Sequence, residues 1–205
     1  MASKKPAGKT ATKPGAKAAP ARPAGEVRII GGQWKRSKLP VADKPGLRPT
    51  PDRVRETLFN WLGQDLTGWR CVDAFAGTGA LGFEAASRGA KEVTLIEQDS
   101  ALVAQLRKIK EQIKADAVQV QRGDGIGALK AWPAGSADLV FLDPPFDAKL
   151  FDAALQAAAR AVAPGGYVYL EAPSAWNEEE LAPLGLTMYR YLRAGTVHAH
   201  LLQRS

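Results

Sequence analysis

The sequence predicts an α/β protein with a doubly wound, mostly parallel seven-stranded sheet, helices on both faces and a C-terminal antiparallel hairpin. From about residue 70 onwards, short apolar runs alternate with glycine-containing turns and helix-like stretches, which is the pattern of repeated β-α units. The end of the chain departs from this pattern, because two strand-like runs there are separated only by a short turn. A small N-terminal extension precedes this core.

The N-terminal side is more basic than the rest of the chain, which has 205 residues and a formal net charge of +7. Residues 1–25 contain six Lys or Arg and no acid, and residues 26–60 contain eight bases and four acids, whereas residues 61–205 contain 14 bases and 17 acids. We predict a disordered basic tail over 1–25, a hairpin-and-helix extension over 26–62 and the main domain over 63–205. The basic side predicts contact with a polyanion, although a tail that only aids solubility fits the same composition.

The extension is predicted to contain a short strand and a helix. Val27–Ile30 is the strand, and the stretch rich in proline and glycine after it forms a hairpin or an extended loop. The helix begins near Pro51, with Thr50 as its N-cap and Asp52 at its positive end. Its apolar stripe consists of Val54, Leu58, Trp61 and Leu62.

The main domain is predicted to alternate strands with helices, which implies a parallel sheet covered on both faces. The strands are Cys71–Phe75, Val93–Glu97, Ala117–Gln121, Leu139–Asp143 and Tyr167–Glu171, followed by a hairpin of Leu186–Arg193 and Thr196–Gln203. The helices are Leu81–Arg88, Ser100–Lys114, Gly125–Ala131 and Leu150–Ala163.

Composition excludes several classes of protein. No stretch approaches the ~20 consecutive apolar residues that a membrane-spanning helix needs, and no apolar segment typical of a signal peptide is present near the N-terminus. The single cysteine, Cys71, cannot form an intramolecular disulfide framework. His198 and His200 alternate along a strand, but without a third ligand nearby we expect structural roles and no metal site. We therefore expect a cytoplasmic protein without a membrane partner.

A glycine-rich turn follows the first strand of the main domain, where Gly77, Gly79 and Gly82 form the pattern G-x-G-x-x-G. Glycines permit a tight turn here and let backbone N–H groups approach a ligand closely. The same pattern serves nicotinamide and flavin cofactors, and it also occurs where a turn only packs a helix on a strand. Alone it does not identify the ligand.

Two acidic residues near this turn favour one cofactor. Glu97 ends the next strand, where a carboxylate accepts hydrogen bonds from both ribose hydroxyls of a nucleoside. Asp73 lies directly before the turn, where its charge would repel a pyrophosphate but suits a cationic sulfonium compound. The pair predicts S-adenosylmethionine rather than a dinucleotide.

The sequence Asp143-Pro144-Pro145-Phe146 directly follows an apolar strand. Two consecutive prolines fix an extended backbone and remove N–H groups, so that a carboxylate and a rigid carbonyl offer two acceptors to an –NH₂ group. Phe146 adds a flat face on which a base can stack. This motif predicts a site for the exocyclic amine of a nucleobase.

Together these motifs resemble the class I S-adenosylmethionine-dependent methyltransferases that modify exocyclic amines. The segment Arg48–Leu62 (RPTPDRVRETLFNWL) closely resembles the N-terminal signature of the RsmD family, the bacterial 16S rRNA guanine-N2 methyltransferases. Arg28–Gly32 and Lys35-Arg36 also match the beginning of that family, and the resemblance covers about residues 27–204.

The resemblance implies a Rossmann-like fold and methylation of one guanine in 16S rRNA, within the assembling 30S subunit, by a monomer. We expect the catalytic residues to be Asp143, Pro144, Pro145 and Phe146. The expected cofactor-binding residues are Asp73, Phe75, Gly77, Thr78, Gly79, Glu97 and Asp124, although Asp124 equally fits a cap of the following helix. The expected phosphate contacts are Lys35, Arg36, Arg48, Arg53 and Arg55.

Three alternatives remain open on the sequence. An enzyme that methylates amines of DNA bases would use the same Asp-Pro-Pro-Phe motif to bind the amine, but the chain shows no evident domain for recognising a DNA sequence. A nicotinamide oxidoreductase would share the glycine turn, yet the Asp-Pro-Pro-Phe motif has no role in it and no Tyr-x-x-x-Lys pair is present. A non-catalytic RNA-binding protein would explain the basic N-terminal side but not the cofactor motifs.

Overall fold

The computed structural model describes residues 25–47, 49–146 and 149–205. The predicted tail, except for Gly25, and Arg48 lie outside the described residues. The strands are β1 (Glu26–Arg28), β2 (Lys38–Pro40), β3 (Arg70–Asp73), β4 (Glu92–Glu97), β5 (Val118–Arg122), β6 (Ala137–Leu142), β7 (Val162–Ala172), β8 (Leu186–Ala194) and β9 (Val197–Arg204). The helices are α1 (Asp52–Trp61), α2 (Ala80–Ser87), α3 (Ser100–Gln112), α4 (Gly125–Ala131), α5 (Phe151–Ala161) and α6 (Glu178–Leu181), with a 3-10 turn at Ala182–Leu184.

The central sheet has seven strands in the order β5-β4-β3-β6-β7-β9-β8. Strands β3 to β7 pair in parallel, whereas β9 pairs antiparallel with β7 and β8 antiparallel with β9. The predicted fold class and terminal hairpin are therefore confirmed. Because all the parallel strands run the same way, their carboxyl ends meet along one edge, and β3 and β6 are central neighbours there.

Alternating side chains of the strands build two apolar layers, one on each face of the sheet. Cys71 and Leu139 point into a layer shared with α1, α2 and α3, whereas Val72 and Val140 point into a layer shared with α4 and α5. Strands that are buried on both faces read as continuous apolar runs, which is why their positions were predictable from the sequence. No helix in the described part of the chain is long and apolar enough to cross a membrane.

The N-terminal extension packs on the same core as α1 and α2. Strands β1 and β2 form a separate two-stranded antiparallel sheet, and Val27 and Leu39 pair across it with both side chains buried. The predicted hairpin is thus present, although its first strand ends at Arg28 rather than Ile30. Ile29 is buried and belongs to the same apolar cluster.

The start of α1 differs from the prediction. Pro51 stands at the N-cap without a side-chain cap hydrogen bond, so the predicted capping by Thr50 is wrong. The Thr50 hydroxyl instead donates to the Glu171 carboxylate across the molecule. Tertiary contact has replaced local capping here, and it ties the segment before α1 to the end of β7.

The segment between β7 and β8 contains α6 and the 3-10 turn, which the sequence analysis did not predict. Asn177 caps α6 by accepting from the Glu180 N–H, while the Glu180 side chain accepts from the Asn177 N–H. This reciprocal pair is a capping box, whose spacing of three residues was visible in the sequence. The helix was missed because it is only four residues long.

Candidate active site

A cavity of about 890 Å³ opens at the edge where the parallel strands end. It is lined from four sides by the glycine turn after β3, the ends of β4 and β5, the segment after β6, and the segment before α1. Sequence separation between these parts is large, so only the sheet topology brings them together. The predicted residues that line the cavity are Asp73, Phe75, Gly77, Thr78, Glu97, Asp124, Asp143, Pro144, Pro145 and Phe146.

The glycine turn has two left-handed positions, with φ of 52° at Gly77 and 79° at Gly79. A Cβ atom on Gly79 would lie 2.6 Å from Phe83 Cδ2 and 2.7 Å from Leu106 Cδ2. Gly79 therefore lets the turn pack against the protein and does not itself line the cavity, in contrast to Gly77. Its predicted role as a cofactor contact reduces to shaping the turn.

The Glu97 carboxylate is oriented by two backbone donors. Its Oε2 accepts from the Gly77 N–H at 2.9 Å, and its Oε1 accepts from the Asp99 N–H at 2.9 Å. Each oxygen keeps a second acceptor site, since a carboxylate offers about four lone-pair directions. A pair of fixed acceptors at the end of β4 is suited to the two hydroxyls of a ribose.

Asp73 is a buried carboxyl at the end of β3, with a side chain only 1% exposed. Its Oδ2 accepts from the Gly82 N–H at 3.2 Å. Burial raises the pKa of Asp73 to about 7, opposed by hydrogen bonds from the Gly82 and Phe75 backbone and reinforced by the charges of Glu97 and Glu171. Such a carboxyl gains most from a nearby cation, because a positive charge favours its ionised form.

Asp143 lies directly after β6 and faces the same cavity. Burial raises its pKa well above the usual range, and the charges of Glu171 and Asp73 raise the pKa further. Pro144 is buried, whereas Pro145 and Phe146 are exposed, with half of the Phe146 surface open to solvent. The motif thus combines a polar part, Asp143 and the buried Pro144, with the solvent-exposed aromatic ring of Phe146, and all three residues line the cavity.

Glu171 is a site residue that the sequence analysis missed. It lies near the end of β7, is 3% exposed and lines the cavity beside Asp143. Burial raises the pKa of Glu171, opposed by hydrogen bonds from Thr50 and Tyr169. The rule that selected Asp73, Glu97 and Asp143, an acid at the end of a parallel strand, would have selected Glu171 as well, because the strand predicted there ended at this residue.

Asp124 is confirmed as the cap of the following helix, whereas its contact with a cofactor stays a prediction. Its Oδ2 accepts from the Gly127 N–H at 2.7 Å, so it caps α4. It also lines the cavity, next to the apolar side chains of Ile96 and Ile126. Capping fixes its carboxylate and still leaves acceptor capacity for a ligand amine.

The predicted phosphate-binding residues separate into two groups. Lys35, Arg36 and Arg53 are exposed and remain available to a polyanion. Arg55 is fully buried, and the prediction that it contacts phosphates is wrong for this structure. Its guanidinium contacts Asp52 at 2.5 Å and Glu84 at 3.4 Å. Arg55 faces the core because it lies two positions after Arg53, on the other side of α1.

Glu84 on α2 is the centre of this buried network. It has no exposed surface, and besides Arg55 it pairs with Arg88 at 2.9 Å. Its two oxygens also accept from the backbone N–H groups of Ile30 and Gly31, each at 2.8 Å. The network therefore attaches α1 and the segment after β1 to α2, the helix that follows the glycine turn.

Fold and site together define a Rossmann-like methyltransferase, and comparisons with known proteins specify the family. Residues 27–203 match the family model described as Conserved hypothetical protein 95. The chain is 42% identical over 182 residues to ribosomal RNA small subunit methyltransferase D of Escherichia coli, covering 88% of this chain and 91% of that protein. The corresponding Haemophilus influenzae protein is 40% identical over 180 residues, covering 81% and 93% of the two chains.

Solved structures agree with the sequence comparison. An Escherichia coli protein described as a candidate methyltransferase superposes with a TM-score of 0.77 at 41% identity, covering 88% of this chain and 99% of that chain. A candidate methylase from Haemophilus influenzae superposes with a TM-score of 0.73 at 36% identity, with coverages of 88% and 99%. The chain belongs to the ribosomal RNA small subunit methyltransferase D family, as its resemblance to the RsmD signature indicated.

Proposed function

We propose that this protein transfers a methyl group from S-adenosylmethionine to the exocyclic N2 amine of a guanine in 16S rRNA. The observation that carries the proposal is that the Asp143–Phe146 motif, the Gly77 turn and Glu97 line one common cavity of about 890 Å³. Relatives named for methylation of small-subunit ribosomal RNA, aligned over most of their length, support rRNA as the substrate.

The residues at the cofactor end of the cavity fit S-adenosylmethionine. Glu97 offers two fixed acceptors for ribose hydroxyls, Asp124 offers an acceptor for the adenine amine, and Ile126 and Phe75 offer apolar contact to the ring. Asp73 supplies negative charge near a cationic group. When bound, S-adenosylmethionine supplies an electrophilic methyl group on a sulfonium centre.

The residues at the other end are suited to orient an amine rather than to act as a strong base. The lone pair of the guanine amine is delocalised into the ring, so catalysis depends mainly on alignment. Asp143 and the Pro144 carbonyl accept the two amine hydrogens, which partly localises the lone pair and directs it towards the cofactor end. Alignment of this kind lowers barriers by about 7–11 kcal/mol in favourable cases. The proton leaves after methylation, to Asp143 or to water.

The target base must leave its stack to enter this cavity. Phe146 is half exposed at the entrance, where its ring can stack against the flipped base. The extension has exposed, positively charged side chains that can bind the phosphates around the target base: Lys35, Arg36 and Arg53. Arg48 is a further candidate and lies outside the described residues. We expect the substrate to be the assembling 30S subunit in the cytoplasm, and the enzyme to act as a monomer.

Replacing Glu97 with alanine should weaken the binding of S-adenosylmethionine by about 1.5–3 kcal/mol, the usual scale of a lost hydrogen bond to a charged group. Isothermal titration calorimetry measures this directly. Glu92→Ala is the matched control, because Glu92 is an exposed glutamate at the opposite end of the same strand. Equal affinity of the two variants would remove Glu97 from the cofactor site.

Replacing Arg53 with alanine should sharply lower methylation of the RNA substrate while cofactor affinity stays unchanged, since Arg53 is exposed on a helix fixed to the core. Lys130→Ala is the control, because Lys130 is an exposed base on α4, which packs on the other face of the sheet. Deleting residues 1–25 should cost only some RNA affinity at low salt, since the lysines of the predicted tail add positive charge without setting the position of the RNA. An inactive truncation beside a fully active Arg53→Ala variant would reverse these assignments.

The experiment that tests the function uses the purified protein, S-adenosylmethionine with a labelled methyl group, and 16S rRNA or small-subunit particles from a strain that lacks the homologous gene. Nucleosides are then separated and identified by mass spectrometry, and the modified position is mapped. N2-methylguanosine at one position is the expected product. Methylated DNA in a parallel reaction would support the amino-methyltransferase alternative instead, and no methyl transfer to either substrate would refute the proposal.

A further inference from the structure

Glu171 stands beside Asp143 on the neighbouring strand, and nothing in the mechanism above uses it. Leu142 of β6 pairs with Leu170 of β7, so the next residues along these parallel strands, Asp143 and Glu171, are adjacent at the strand ends. Paired residues of neighbouring strands point to the same face of a sheet. Both side chains line the cavity, and the charge of Glu171 helps to raise the pKa of Asp143.

Hydrogen bonds hold one oxygen of Glu171 and leave the other open. The Thr50 hydroxyl donates to Oε1 at 2.6 Å, and the Tyr169 hydroxyl donates to the same atom at 2.9 Å. Among the described residues, none forms a hydrogen bond with Oε2. The two donors fix the orientation of the carboxyl and favour its ionised form, although burial opposes ionisation. Oε2 is thus an acceptor with a fixed orientation on a residue that lines the cavity.

The chemistry of the amine-bearing bases shows what such an acceptor can distinguish. In guanine the exocyclic amine is next to a ring N–H, at N1. In adenine and cytosine the ring nitrogen next to the amine carries a lone pair and no hydrogen. An acceptor placed beside the acceptor of the amine therefore complements guanine alone among these three bases.

We propose that Glu171 selects guanine by accepting a hydrogen bond from N1–H through Oε2, while Asp143 binds the amine. This inference rests on the proposed function, since it concerns the same base in the same cavity. Adenine or cytosine would place a ring lone pair against the Glu171 carboxylate, with no hydrogen between them. A buried polar group left unpaired in this way destabilises the complex, and sites built to hydrogen-bond a substrate N–H reject analogues without it by about 10⁴–10⁵-fold in favourable cases.

The test uses 2-aminopurine, which has its amine at the same position as guanine but no hydrogen on N1. Small-subunit particles are reconstituted with guanine or 2-aminopurine at the mapped position, and kcat/KM for methyl transfer is measured for both. We expect the wild-type protein to prefer guanine by at least about a hundredfold. Glu171→Gln keeps an oxygen for Thr50 and Tyr169 but presents an NH₂ donor to the base. Its preference should therefore fall close to unity or reverse towards 2-aminopurine.

An unchanged preference in a Glu171→Gln variant that still binds S-adenosylmethionine would overturn the inference, because a merely structural role would not depend on the hydrogen at N1. If thermal unfolding shows that this variant does not fold, Thr50→Val and Thr50→Ser replace it. Loss of the hydroxyl in Thr50→Val frees the carboxyl to turn and should reduce the preference for guanine, whereas Thr50→Ser should restore it. Equal preferences in these two variants would likewise overturn the inference. Failure of the proposed function is a different result, in which the wild-type protein forms no N2-methylguanosine from the natural particle.

Discussion

Replacing Asp143 with alanine is expected to lower the rate of methyl transfer at least roughly a hundredfold, which is the scale of losing one oriented polar partner of a reacting group. All three acids line the cavity, and in the proposed function Asp143 binds the base whereas Glu97 and Asp124 bind the cofactor. The affinity for S-adenosylmethionine should therefore stay nearly unchanged. Single-turnover rates on the RNA substrate, with calorimetry for the cofactor, measure the two effects separately.

Asp143→Asn is the matched variant, because its side-chain oxygen still accepts a hydrogen bond but carries no charge. It should retain more activity than Asp143→Ala. Since burial and the neighbouring carboxylates raise the pKa of Asp143, the charged form of this acceptor increases as the pH rises. The wild-type rate should then increase with pH along a limb that Asp143→Asn lacks. Full activity of Asp143→Ala would refute the role of Asp143 in binding the amine.

Replacing Arg55 with alanine is expected to lower the free energy of unfolding by about 3–5 kcal/mol, the usual cost of removing one partner of a buried ion pair. Glu84 would then keep only Arg88 as a charged partner, without any exposure to water. Arg55 also donates to the backbone carbonyls of Arg28 and Thr50, at 2.9 and 3.2 Å. Its loss should therefore loosen β1 and the segment before α1, and urea unfolding followed by circular dichroism measures the change.

Arg53→Ala is the control for this stability effect. Arg53 is exposed on the same helix, so its removal should change the free energy of unfolding by no more than about 0.5 kcal/mol. If Arg55→Ala unfolds at the same urea concentration as Arg53→Ala, the buried network does not stabilise the fold.

The two arginines show where the sequence stopped being informative. Both belong to the same basic stretch, and composition alone gives them the same role. They differ because successive helical residues are about 100° apart around the axis, so positions two apart lie on nearly opposite sides. The apolar stripe of α1 already indicated the buried face, and Arg55 lies beside it, directly after Val54. A charged side chain can be buried there because it forms ion pairs with Glu84 and Asp52.

The fold and much of the candidate site were determined by the sequence itself. Apolar runs between glycine turns defined the parallel strands, and acids at the ends of these runs had to meet at one edge, since parallel strands share their direction. Asp73, Glu97 and Asp143 could therefore be grouped without any tertiary information, and the structure places all three around one cavity. Their predicted roles in binding and catalysis await the experiments above.

Only the tertiary structure decided how the side chains pair across long distances in the chain. Thr50 is separated by 121 residues from the Glu171 carboxylate to which it donates, and Arg55 by 29 residues from Glu84. From the local sequence, Thr50 was expected to cap α1, and Arg55 was expected to face solvent and contact a phosphate. Neither expectation holds, because both side chains are buried and a buried polar group without a hydrogen-bonding partner destabilises the fold. Each of them therefore pairs with a polar group of a neighbouring element.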